Sequence, residues 1–158
     1  CWTYICEALH YERFTFYTIA PLEQKFKELR NLVDSLSRDG KPLNEISEIR
    51  KKIIHLGTDV EIAKVLQRKV LSIALQDEVP QTESAIFKLF STKLHQKLAN
   101  NAMDILGREG LFRKEYKHAH ANGKWEWSYR STLVDTIGAG TTEIKKNTIA
   151  KKALNLPL

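Results

Sequence analysis

The stretch that decides the fold is residues 44–73, NEISEIRKKIIHLGTDVEIAKVLQRKVLSI. Its apolar residues Ile46, Ile49, Ile53, Leu56, Val60 and Ala63 recur at spacings of three and four, and Leu66, Val70 and Ile73 extend the stripe. That period places them on one side of a helix packed against others. Asn44 stands where an N-cap belongs, because its short amide can accept a hydrogen bond from an early backbone N–H. Gly57 is a weak point, costing about 1 kcal/mol against alanine. Asp77-Glu78-Val79-Pro80 ends the segment, since proline cannot continue a helix.

Working outward, Leu22, Phe26, Leu29, Val33 and Leu36 form a second stripe. It predicts a first helix over residues 2–36, kinked or split at Pro21, and a turn over residues 37–42. On the other side, Phe87, Phe90, Leu94, Leu98, Ala102 and Ile105 predict a helix from near Thr82 to Gly107. From Arg108 to Gly140 the pattern breaks. Gly110, Gly123, Gly138 and Gly140 fall here, and Trp125 and Trp127 between them read as packing anchors rather than a base-stacking platform. A last helix begins at Thr141 or Thr142, capped by a hydroxyl, and runs to about Leu154. Three long antiparallel helices and a shorter fourth predict an all-α, up-and-down four-helix bundle filling residues 1–158 as one domain.

Composition agrees. Apolar residues make up 42% of the 158 and charged residues 28%, a globular balance that excludes a disordered chain. The net charge of +6 is spread among acidic residues. Only Lys145, Lys146, Lys151 and Lys152 cluster, as on a solvated helix face, so no nucleic acid partner is expected. Cys1 and Cys6 make neither a disulfide framework nor a zinc set, which points to a reducing, cytoplasmic setting. No apolar run reaches the ~18 residues of a membrane span. His118 and His120 lack an obvious third ligand, so no metal is expected.

Several motifs, taken in order, resemble one family. Residues 137–150, IGAGTTEIKKNTIA, and the ending Leu154-Asn155-Leu156-Pro157 are similar to the C-terminal signature of acyl-CoA dehydrogenases, a Gly-Thr-Ser/Thr-Glu-Ile turn into a helix followed by Leu-Gly-Leu-Pro. Asp104-Ile105-Leu106-Gly107-Arg108-Glu109-Gly110 resembles the family's Gln-x-Leu-Gly-Gly-x-Gly turn, and Leu9-His10-Tyr11-Glu12-Arg13 its Leu-x-x-Glu-Arg. The resemblance implies the C-terminal helical domain of an FAD-dependent enzyme that introduces a 2,3-double bond into an acyl-CoA thioester. The N-terminal and middle β-domains of such an enzyme are then absent from this chain, which starts without Met and reads as a fragment.

The implied chemistry needs a carboxylate base at the substrate α-carbon. Many members carry it just before the Gly-Thr, where this chain has Ala139. Another branch, the isovaleryl and long-chain enzymes, carries it on the first helix, and Glu12 matches that position. Read from spacing alone, Glu12 is an ordinary helix glutamate paired to a nearby Lys or Arg sooner than a base. Arg13 by resemblance contacts the CoA thioester region, or else forms a helix salt bridge. Thr141 and Glu143 by resemblance approach FAD. Free backbone N–H groups at the mouth of that helix would also suit polar cofactor atoms, although Glu143 would repel an isolated phosphate. Gly107 lets backbone approach a neighbouring subunit's cofactor or simply ends a helix, and Arg108 can meet a pyrophosphate.

Departures accompany the matches. Arg38-Asp39-Gly40-Lys41-Pro42-Leu43 stands where the family often has Arg-x-x-Phe-Gly, and Asp104 and Arg108 replace Gln and Gly. They suit a divergent subfamily, or one subunit of a mixed complex in which this domain serves as a non-catalytic assembly part. Either way, a homo- or hetero-oligomer formed through helical bundles is expected.

Overall fold

The computed structural model describes residues 18–157 together with Tyr4, Ile5 and Ala8. The fold is all-α. In chain order it has α1 (Ala20–Ser35), β1 (Ser37–Arg38), β2 (Lys41–Pro42), α2 (Ser47–Ala74), α3 (Gln81–Leu106), α4 (Lys124–Asp135) and α5 (Thr142–Ala153). The chain divides into two compact units. A hairpin unit comprises Ala20–Val60 and Leu94–Leu133, and a tail unit comprises Glu61–Lys93 and Val134–Leu158, with Ile19.

In the hairpin unit, α1 buries Leu22, Leu29 and Val33, α2 buries Ile49, Leu56 and Val60, and α3 buries Leu94, Leu98, Ala102 and Ile105. These are the residues of the three predicted stripes. Gly57 has a packing reason, because a Cβ there would lie 3.1 Å from Phe26 Cζ. The ring takes the space that any other residue would fill. The predicted turn over 37–42 is a two-residue hairpin pairing Ser37 with Pro42 and Arg38 with Lys41. Asp39 and Gly40 both have positive φ, 52° and 77°. That geometry matches the right-handed twist of flanking strands and explains an Asp-Gly pair here.

Three expectations are corrected. Asn44 does not cap α2. It lies in a 3-10 turn, Leu43–Glu45, that precedes the helix, and its Nδ2 donates to Asp34 Oδ1 at 3.2 Å. The stretch from Arg108 to Gly140 is not wholly irregular, since α4 lies within it. That helix was illegible because its buried side, Trp125, Glu126, Ser128 and Thr132, is mostly polar while Leu133 and Val134 are exposed. Trp125 is a packing anchor as expected, but Trp127 is exposed.

The polar side of α4 is satisfied. Lys25 Nζ donates to Ser128 Oγ at 2.8 Å. Arg130 donates twice to the Glu126 carboxylate, at 2.7 and 2.9 Å. The bidentate Arg130 bond, with the charge of Arg113 nearby, holds the Glu126 carboxyl below its ordinary range.

In the tail unit, α2 buries Ala63 and Val70, α3 buries Ala85 and Phe87, and α5 buries Lys145. Among the described residues no helix is long and apolar enough to cross a membrane.

One buried titratable group makes the hairpin unit acid-sensitive. Burial, aided by the charge of Lys25, pulls the His95 pKa down from 6.5 to about 4. Above pH 6.5 the imidazole is neutral in both folded and unfolded states and has no effect. Between 6.5 and 4 the unfolded chain takes up a proton that the folded chain refuses, so stability falls with pH, by on the order of 3 kcal/mol in total. Denaturation midpoints measured from pH 7 to 4 should fall less steeply for His95→Gln than for the parent. Parallel curves would place the acid sensitivity elsewhere.

Candidate functional site

At the start of α5 the sequence expectation of a cap is met. Thr141 has extended backbone, φ −62° and ψ 163°, and its Oγ1 accepts from the Ile144 N–H at 3.3 Å. The expectation of free N–H groups is not met. The Thr142 N–H bonds Thr136 O at 3.1 Å, and the Lys145 N–H bonds Thr141 O at 3.0 Å. The Glu143 carboxylate accepts from its own backbone N–H and from the Thr141 hydroxyl, and both bonds hold its pKa below the ordinary value. The helix mouth is therefore closed to a phosphate. What it offers outward is the exposed, ionised Glu143 carboxylate, an acceptor for an O–H or N–H group.

The turn before the cap is tightly wound. The Ile137 and Gly138 N–H groups both bond Val134 O, at 3.0 and 2.9 Å, closing α4. Ala139 and Gly140 then take positive φ, 53° and 93°. Beneath this turn lies Lys88 of α3, a buried residue that the sequence reading passed over. Its Nζ donates to Asp135 O at 3.0 Å and Gly140 O at 2.8 Å. Lys145 is also buried, and a Cβ added at Gly140 would fall 2.9 Å from its Nζ.

Gly107 and Arg108 lie together in the hairpin unit, on a cleft of about 380 Å³ that also includes Arg38, Asp104 and Glu109. Gly107 ends α3 with φ +57°, and a Cβ there would meet open space. The backbone is thus approachable. Arg38 leaves the hairpin, and its guanidinium Nη2 donates to Ile105 O, which holds the guanidinium at the cleft. The two carboxylates are engaged, Asp104 with Lys52 at 3.2 Å and Glu109 with His120. Beside these carboxylates the cleft presents Arg108 and the remaining donors of Arg38, and guanidinium forks suit a diphosphate. Arg38 was noted in the sequence only as a departure from a motif; the Asp-Gly turn that aims it was the available signal. Glu12 and Arg13 lie outside the described residues.

The geometry is that of a helical domain with an acceptor edge in one unit and a basic cleft in the other. Residues 2–154 match the C-terminal domain of acyl-CoA dehydrogenase. The chain belongs to that family. It is similar to the acyl-CoA dehydrogenase FadE26 of Mycobacterium tuberculosis, 24% identical over 160 residues, covering 99% of this chain and 40% of FadE26. It is also 29% identical over 136 residues to the acyl-CoA dehydrogenase IpdE1 of the same organism, covering 83% of this chain and 32% of that protein. Among solved structures it resembles the ChsE4-ChsE5 complex from Mycobacterium tuberculosis, with a TM-score of 0.80 at 23% identity over 89% of this chain and 36% of that one. The chain thus spans less than half the length of these relatives.

The cap is open to a direct test. Thr141→Ala should cost about 1 kcal/mol of stability and speed amide exchange at Ile144, while Thr141→Ser keeps both near the parent. Equal exchange at Ile144 in all three proteins would remove the cap from this account.

Proposed function

We propose that this domain is part of an FAD-dependent acyl-CoA dehydrogenase, an enzyme that introduces a 2,3-double bond into an acyl-CoA thioester. The observation that carries the reading is membership of the family across residues 2–154. The two candidate sites, one in each unit, suit different parts of the cofactor. The cleft with Arg38, Gly107 and Arg108 suits a diphosphate. The Thr141–Glu143 edge, saturated in donors, suits the hydroxyl and N–H groups of a flavin.

When bound, the flavin supplies the hydride acceptor for the substrate β-carbon. The chain supplies the base. Ala139 carries no carboxylate, and Glu12 stands where the isovaleryl and long-chain branch keeps one. Burial against an acyl chain would lift the Glu12 pKa toward neutrality, which lets it take the α-proton. Arg13, next to it, contacts the CoA thioester region.

The enzyme assembles as an oligomer through its helical domains. Tyr129, Leu133, Val134 and Ile137 are exposed at α4 and its end, a surface that association would cover. The ChsE4-ChsE5 likeness, a complex of two different chains by name, supports a mixed assembly with a second family subunit. A cytoplasmic setting, with Cys1 and Cys6 as thiols, goes with this reading.

In the flavin-loaded enzyme, Glu12→Gln should slow flavin reduction by acyl-CoA by ~10²–10⁴ while leaving acyl-CoA affinity nearly unchanged, since Gln keeps the size but cannot take the proton. Glu12→Gly combined with Ala139→Glu should return part of the rate. Reduction at the parent rate in Glu12→Gln would show that the base lies elsewhere.

A further inference from the structure

Burying an ammonium without compensation is expensive, so a buried lysine marks a place where the fold needs a cation. Lys88 is buried on α3, and its Nζ donates to two carbonyls of one short turn, those of Asp135 and Gly140. Asp135 is the last residue of α4, where the helix dipole is negative and favours a cation. Gly140 is the residue before the cap of α5. The Lys88 main chain is also held, its carbonyl accepting from the hydroxyls of Ser91 at 3.2 Å and Thr92 at 2.9 Å. Lys145 lies against Gly140, its Nζ 2.9 Å from where a Cβ would go, and the φ of +93° at residue 140 favours glycine.

We propose that Lys88 is a positioning residue. It ties the end of α4 to the residue before Thr141, and so fixes where the Thr141–Glu143 acceptor edge stands. The proposal rests on the reading, made above, that this edge faces the flavin. The ammonium touches no reacting atom; it acts through the Gly140 carbonyl. An arginine can replace its charge and part of its donor geometry, whereas a methionine of similar length can replace only its volume.

The test combines two measurements on Lys88→Met and Lys88→Arg. The first is amide hydrogen exchange at Ile144 and Lys145, with Leu98 of α3 as the internal reference. Loss of a charge-assisted hydrogen bond should speed exchange at the α5 amides about tenfold or more in Lys88→Met, with Leu98 little changed and Lys88→Arg in between. The second is the visible absorption band and dissociation constant of the flavin in the holoenzyme. The band should move and affinity should fall about tenfold in Lys88→Met, with partial return in Lys88→Arg. Unchanged exchange at Ile144 and Lys145 would overturn the clamp. Faster exchange with an unchanged flavin band and affinity would make Lys88 structural only and overturn the positioning role. A parent enzyme that binds no flavin would instead overturn the functional reading, and the exchange data would still decide the clamp. Should Lys88→Met fail to fold, Gly140→Ala disturbs the same turn from the Lys145 side and is expected to give the same pair of changes.

Discussion

The apolar stripes of α2 and α3 are the constraint on which everything else depends. Each fully buried Leu, Ile, Val or Phe contributes about 1.5–3 kcal/mol against a large loss of chain entropy, so the stripes must be continuous to hold helices of this length. Both helices meet that demand. α2 buries residues from Ile49 to Val70 and α3 from Ala85 to Ile105. Both helices contribute residues to each unit. Each unit can then use a rigid helix end to carry polar groups. In the hairpin unit the C-terminal end of α3 leads directly into Gly107 and Arg108. In the tail unit the N-terminal half of α3 carries Lys88.

What was legible in the sequence follows from this. A stripe with a period of 3.6 announces itself, and α1, α2, α3 and α5 were readable where they fall among the described residues. α4 was not, because it buries Glu126, Ser128 and Thr132 and exposes Leu133 and Val134. Lys25 satisfies Ser128 and Arg130 satisfies Glu126, and the first of those partners lies about a hundred residues away in the chain. Asn44 looked like a cap on local grounds; a 3-10 turn and the distant Asp34 decided otherwise. Gly57 was legible as a weak point, but its reason, the Phe26 ring, is tertiary.

The site shows the same division. A Thr before a helix is a local signal, and the Thr141 cap was readable. Whether its amides stay free depends on how the preceding turn winds, since Thr136 O and the Glu143 carboxylate occupy them. The result reverses the electrostatic meaning of the motif. A helix N-terminus normally attracts anions. This one is internally saturated and carries an ionised carboxylate outward, so it discriminates against phosphate and in favour of donors. The basic cleft at Arg38 and Arg108 has the opposite preference.

The lysines beneath the turn also bear on where a base can stand. A carboxylate is a useful base only when its surroundings lift its pKa, and an opposite charge within about 4–6 Å lowers it instead. Residue 139 precedes the Gly140 carbonyl that Lys88 grips, and the Lys145 side chain reaches Gly140 as well. A glutamate at 139 would be drawn toward its ionised, weakly basic form if its side chain turned inward. It would also have to adopt the left-handed φ that Ala139 holds, which disfavours any residue with a Cβ by roughly 1–2 kcal/mol. Alanine keeps that backbone penalty but places no carboxylate near the ammoniums. The clamp that steadies the acceptor edge would thus weaken, without abolishing, the basicity of a carboxylate placed at 139.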